Sequence, residues 1–194
     1  MLPLPLITVF DLETTGLDPK RGHRIIEIAG VRIEGGKIQS ESPFISLVNP
    51  EREIPSEAKQ VHKISDEEVA KAPTIDAVLP KFLDFAKGSL LFAHNAQFDM
   101  GFLAVEKHYC WGYVDIPECC CTMRLSQALF PREFRHSLDI LSKRLGLSLP
   151  AERHRALADA ILAAEALLKM AETGHISSCD ELRRKAGMPQ LATV

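Results

Sequence analysis

The stretch "LITVFDLETTGLDPKRGHRIIEIAGVRIEGGKIQSESPFISLV", residues 6–48, decides the fold. Leu6 to Asp11 is an apolar run of strand length that ends in an acid. "GLDPKRGH" follows as a turn broken by Gly16, Pro19 and Gly22. Two further strand patterns flank Gly35-Gly36, a hairpin signal. The stretch therefore predicts an antiparallel three-strand meander. Beyond it, helix and strand patterns alternate. Short helices are expected over 55–61 and 65–72, the second with Ser65 and Glu68 at capping-box spacing. A helix over 74–86 leads to an apolar strand over 89–94. Asn95 stands where an N-cap would open a helix over 96–108. "IPECCCT" reads as a strand whose cysteines are small buried hydrophobes, followed by helices over 122–129, 138–145 and 154–173. A meander continued by alternating helices and strands implies an α/β fold, a mixed sheet flanked by helices.

The chain has 194 residues, 46% of them hydrophobic, which suits one sizeable domain. The expected division is a domain over 1–173 and a short tail over 174–194 with a small helix near 180–186. No apolar run has the length of a membrane span, and the first residues lack the basic region and cleavage site of a signal peptide. With five cysteines in no disulfide or zinc spacing, the expected compartment is the cytoplasm. Net charge is −3, which excludes a long non-specific nucleic-acid footprint while permitting a small local site.

Asp11 and Glu13 are two residues apart at the end of the first strand, so both carboxylates share one face. Strand ends are where open α/β sheets place their sites. Read alone, the pair is a solvated turn. Asp99 stands in the first turn of a half-buried helix, where the helix dipole alone could account for an acid. Asp159 is set in "HRALADAILAAEALLKM", a helix apolar nearly all round, where an ionised carboxylate needs a partner or a metal. His154 is five positions earlier, roughly 140° away on a helix, so it can serve the same site only from the preceding loop. Four carboxylates at element ends suit hard cations, and their charge suits two ions about 3.5–4 Å apart, a pairing used for phosphoryl transfer. A histidine nearby would be the general base for water.

These motifs resemble the DEDD superfamily of 3′→5′ exonucleases, in the subtype with a histidine in its third motif, the group of bacterial proofreading subunits and ribonuclease T. The matching motifs are "VFDLETTGLD", "HNAQFDMGFL" and "HRALADA", in order, with "VHKI", "CTMRLSQALFP" and "HSLDILSKRLGL" as secondary landmarks. The resemblance spans about residues 6–171. It implies an RNase H-like fold, a five-stranded mixed sheet with the second strand antiparallel. It implies two Mg²⁺ or Mn²⁺ ions held by Asp11, Glu13, Asp99 and Asp159, with His154 deprotonating the attacking water and 5′-nucleoside monophosphates leaving one by one from a 3′ end. For the terminal nucleotide it implies a pocket in which Leu12 wedges beside the base and Thr15 and Gly16 meet the sugar. Val61 and His62 would close this pocket, with Phe98 packed against sugar or base. Asn95 would hold the start of the Asp99 helix, and Lys63 departs from the glycine frequent after this histidine.

Arg132, Arg135, Arg153 and Arg155 are candidate phosphate contacts, each with surface charge as the plainer alternative. The expected partner is a nucleic-acid 3′ end, DNA ahead of RNA, with a polymerase or a second copy of the chain as a further partner and no membrane. A non-catalytic nucleic-acid or polymerase-binding module of the same fold is the alternative, disfavoured because all five motif residues are intact.

Overall fold

The first strand, β1 (Ile7–Thr14), is buried on both faces, and the elements around it follow from that. In this computed structural model, which describes residues 4–111, 114–151 and 153–187, β1 lies between β2 (Ile25–Glu34), antiparallel to it, and β5 (Leu90–Ala93), parallel to it. β6 (Cys119–Cys121) pairs parallel with β5. The outer edge of β2 is shared by two short strands, β3 (Lys37–Ile38) and β4 (Phe44–Leu47). The meander is as expected, except that its third strand is in two pieces, so the mixed sheet has six strands. The hairpin turns on Gly35 and Gly36, both at positive φ.

Alternation along β1 divides the core. Ile7 and Val9 face α7 (Ala156–Thr173), packing on Leu162, Leu167 and Met170. Phe10 and Leu12 face the other way, toward α3 (Ile75–Phe85) and α4 (Ala96–Glu106), against Phe82 and Phe102. Phe10 and Phe82 stack at 5.2 Å between ring centroids. Each such fully buried side chain contributes roughly 1.5–3 kcal/mol. Small residues on α7 (Ala156, Ala160, Ala163, Ala164) let the helix lie close on β1 and β2. Asp11 and Glu13 continue the Ile7–Val9 face, so β1 carries them under the N-terminal turn of α7.

Shorter helices complete the frame: α1 (Ser56–His62), α2 (Asp66–Val69), α5 (Thr122–Leu129), α6 (Leu138–Arg144) and α8 (Cys179–Ala186). The capping box at Ser65 and Glu68 forms as expected, with both reciprocal bonds present. Asn95 differs from expectation. It stands at the cap position of α4, but at φ 59° and ψ 43° its side chain caps nothing. A side-chain cap needs an extended backbone, and in the left-handed region only the carbonyl serves, accepting from Phe98 N at 2.9 Å. Cys119, Cys120 and Cys121 are buried in the sheet as small hydrophobes. Leu182 and Ala186 of α8 are fully buried, and α8 packs on α5. Among the described residues no helix is long and apolar enough to cross a membrane.

Candidate active site

Three carboxylates meet where β1 passes beneath the start of α7. Ligand atoms of Asp11, Glu13 and Asp159 all lie within 4.8 Å of one another. Asp159 comes from the first turn of α7, the others from one face of β1. Asp99, from the first turn of α4, accepts from the Leu12 N–H, between the two acids of β1, and is 2% exposed. Its charge acts on both Asp11 and Glu13.

The electrostatics show how crowded the cluster is. Burial first, then the charges of Asp99 and Glu13, raise the Asp11 pKa well above the usual carboxylate range. Burial, then Glu27 and Asp99, push Glu13 up to about 8. Burial likewise pushes Asp99 to about 8, although the backbone N–H groups of Asp99 itself and Leu12 pull the other way. Like charges in a low-dielectric setting account for these directions. A cluster of oxygen donors that resist ionising side by side fits hard divalent cations, which would supply the missing positive charge.

His154 lies where the sequence requires, on the loop before α7 rather than in it. It is exposed, with a left-handed backbone at φ 64°. Its neighbours do not remain free for phosphate. Arg153 forms ion pairs with Asp159 and with Asp139 of α6, its Nε donating to Asp139 Oδ1 at 2.8 Å. Arg155 donates from Nε and Nη2 to the two oxygens of Glu27, at 3.2 and 2.7 Å. Carboxylates of the chain thus hold two of the four guanidinium groups read as phosphate contacts, Arg153 and Arg155.

Glu27 was not singled out by the sequence reading. It sits on β2 opposite Glu13 in the pairing register and is 2% exposed. Besides Arg155 it accepts from Ala156 N at 3.0 Å, the first N–H of α7. A strand residue therefore caps the helix that carries Asp159, because Arg155 at the cap position makes no side-chain bond to the helix end. The sequence signal was present: an acid inside the apolar run "RIIEIAG".

Beside the acids lies a cavity of about 560 Å³. Leu12, Thr15, Gly16, Val61, His62 and Phe98 all line it, and Glu13 forms part of its wall. Leu12 is nearly buried, Val61 is half exposed at the mouth, and Phe98 rests against Phe102 at 5.0 Å. Thr15 is fully buried: its hydroxyl accepts from Arg24 N at 3.0 Å and meets His23 Nδ1 at 3.2 Å. A Cβ at Gly16 would lie 2.3 Å from the His23 ring, so any larger residue there would have to displace that ring. His23 lines this wall and, after Glu27, is another residue that sequence reasoning missed. The buried His62 ring accepts from Ile64 N at Nδ1, 3.0 Å, which leaves its proton on Nε2. Burial lowers its pKa, so it stays neutral near neutral pH.

Known proteins resemble this chain in sequence and in fold. The family model described as Exonuclease, of the RNase_T group, matches residues 8–167. A DNA polymerase III subunit epsilon-like protein of Rhodobacter capsulatus is 44% identical over 171 residues, covering 87% of this chain. The chain spans only 24% of that relative's length. The DNA polymerase III subunit epsilon of Rickettsia typhi is 38% identical over 162 residues, covering 81% of this chain and 70% of the relative. Among solved structures, Exonuclease X in complex with 5′ overhanging duplex DNA is 31% identical with a TM-score of 0.75, covering 93% of this chain and 99% of that one. With this match and the RNase H-like sheet, the chain belongs to the exonuclease family, and its ordered acid-and-histidine motifs resemble the DEDDh branch.

Proposed function

We propose that the protein is a 3′→5′ exonuclease that hydrolyses the terminal phosphodiester bond of single-stranded or frayed DNA and releases 5′-nucleoside monophosphates. The observation that carries this reading is the convergence of Asp11, Glu13 and Asp159, with the charge of Asp99 acting on the first two, beside a nucleotide-sized cavity whose wall includes Glu13. Asp11, Glu13, Asp99 and Asp159 would hold two divalent cations, Mg²⁺ or Mn²⁺. Such ions, when bound, make water a better nucleophile and stabilise charge on the leaving oxygen.

The chain's own residues account for the rest. His154, exposed beside the cluster's entry helix, would take the proton of the attacking water on an imidazole nitrogen. Leu12 would wedge at the terminal base, and Phe98 would cover base or sugar. The Thr15 hydroxyl is already engaged, so contact there with the sugar falls to the backbone around Thr15 and Gly16. Val61 and His62 would close the pocket, His62 offering its Nε2 proton. DNA is favoured over RNA because the relatives named above are polymerase subunits and Exonuclease X is described with DNA. Those polymerase-subunit relatives also make a polymerase the natural protein partner.

Matched DNA and RNA oligonucleotides, labelled at either end and incubated with Mn²⁺, Mg²⁺ or EDTA, test this reading. Metal-dependent release of mononucleotides from the 3′ end is expected, faster on DNA. Asp11→Asn and Asp159→Asn should abolish it, and His154→Ala should lose about 10²–10⁴-fold in rate. Full activity of the Asp11 variant, or release from the 5′ end, would sink the proposal.

A further inference from the structure

The loop between α5 and α6 carries Phe134, which is 100% exposed, between Arg132 and Arg135. A lone exposed apolar side chain is ordinary in itself. This one differs in how it is mounted. The backbone on each side of it is pinned. Glu133 N donates to Phe130 O at 3.0 Å, closing a turn that begins at Pro131. The Glu133 carbonyl lies 3.0 Å from His136 Nε2, and the buried His136 ring meets Ser126 Oγ at 2.8 Å through Nδ1. Arg144 Nη2 donates to the Glu133 carboxylate at 3.0 Å and to the Arg135 carbonyl at 2.9 Å. Glu133 is thereby neutralised, and the exposed Arg132 and Arg135 give the loop a positive face around an exposed aromatic ring on a pinned backbone.

The loop is also tied to the acids. It runs directly into α6, whose Asp139 holds Arg153, which pairs with Asp159. Glu13 borders the nucleotide cavity, whereas Asp159 borders this α6 connection. The cavity thus adjoins the cluster at Glu13, and the Phe134 loop connects to it at Asp159 through Asp139 and Arg153. A strand whose last nucleotide fills the cavity, and whose terminal phosphate meets the acids, would continue toward this loop.

We infer that Phe134 is a stacking platform for a base upstream of the scissile bond, with Arg132 and Arg135 meeting the adjoining phosphates. Every base has a π face, so an exposed aromatic between cations grips single-stranded nucleic acid without reading sequence. The inference rests on the exonuclease reading for the direction of the strand, but not for the contact itself. Two measurements separate them. Fluorescence anisotropy with a labelled single-stranded DNA oligonucleotide, in EDTA, reads the contact: Phe134→Ala should weaken binding about tenfold and Phe134→Trp should restore it. Arg132→Ala should reduce the salt dependence of binding by about one released counterion. Steady-state hydrolysis reads the direction: in Phe134→Ala, kcat/KM for a long oligonucleotide relative to a dinucleotide should fall about tenfold. Unchanged anisotropy in Phe134→Ala, or loss that Phe134→Trp does not restore, overturns the platform and assigns the ring elsewhere, such as a protein contact. A protein that binds through Phe134 but releases no mononucleotide would instead defeat the exonuclease reading alone.

Discussion

At the scale of single residues, Lys63 shows what one departure from a family pattern costs. It closes α1 at φ 63° and ψ 15°, and its N–H bonds to Lys59 O at 3.0 Å. In that left-handed region a Cβ crowds the carbonyl, at about 1–2 kcal/mol, which glycine avoids. Glycine loses more chain entropy on folding, so the net gain of Lys63→Gly should be about 0.5–1 kcal/mol. Scanning calorimetry should register a rise in Tm of about 2–4 °C per kcal/mol for a chain of this size. A lower Tm would mean that the lysine side chain itself holds the turn. Because Ile64 N is bonded to His62 Nδ1, the pocket lip should keep its shape in the variant. Singly, the motif acids and His154 each had a plainer reading in the sequence; their ordered combination singled them out, and the structure brings Asp11, Glu13 and Asp159 together. Arg153 and Arg155 were visible only as charges. That each is bound to an internal carboxylate depends on which acids the fold brings near, and sequence spacing does not carry that.

At the scale of elements, the link between β2 and α7 is what sets Asp159 against β1. Glu27 joins them through Arg155 and the N–H of Ala156. β2 is buried along nearly its whole length, so no alternation marks one face and its acid is not set off by pattern. Its place opposite Glu13 depends on pairing register, and that register shifts between Glu13 and Thr14. Helix existence and boundaries were legible from periodicity and breakers, whereas this cross-element cap was not. Glu27→Ala would strand the Ala156 N–H and leave Arg155 without its buried acceptor. A buried donor left without a partner costs about 1–3 kcal/mol, so a Tm drop of a few degrees is expected. Glu27→Gln keeps the shape of the side chain but weakens the hold on Arg155. We expect it to stay folded by circular dichroism while kcat falls at least tenfold and KM changes less, because Glu27 does not itself line the cavity. Wild-type kcat in Glu27→Gln would show that α7 is fixed by its packing alone.

At the scale of the whole molecule, the acid cluster makes stability depend on pH and on divalent cations together. Glu13 and Asp99 titrate near 8 in the folded chain, and Asp11 is raised too, against about 4 when unfolded. A raised carboxyl keeps its proton in the folded state while the unfolded chain has lost it. The folded state then binds more protons, and its stability falls as pH rises toward the folded pKa. Carboxylates held low, such as Asp66 by its bond from Lys59 and Glu68 by Ser65 N–H, act only in acid. The buried His62 and His94, lowered by burial, are neutral in both states above the usual histidine range. Between about pH 6.5 and pH 8 the cluster should therefore dominate, and the Tm of the metal-free protein should decline across that window. Glu13→Gln removes one of the titrations and should make the decline shallower. Cations need the ionised form, so Mn²⁺ or Mg²⁺ should raise Tm, and by more at the upper end of the window than at the lower. Differential scanning fluorimetry across pH, with and without each ion, measures both slopes. A Tm that rises with pH in the metal-free protein, or that neither ion shifts, would mean that these carboxylates are not the linked site.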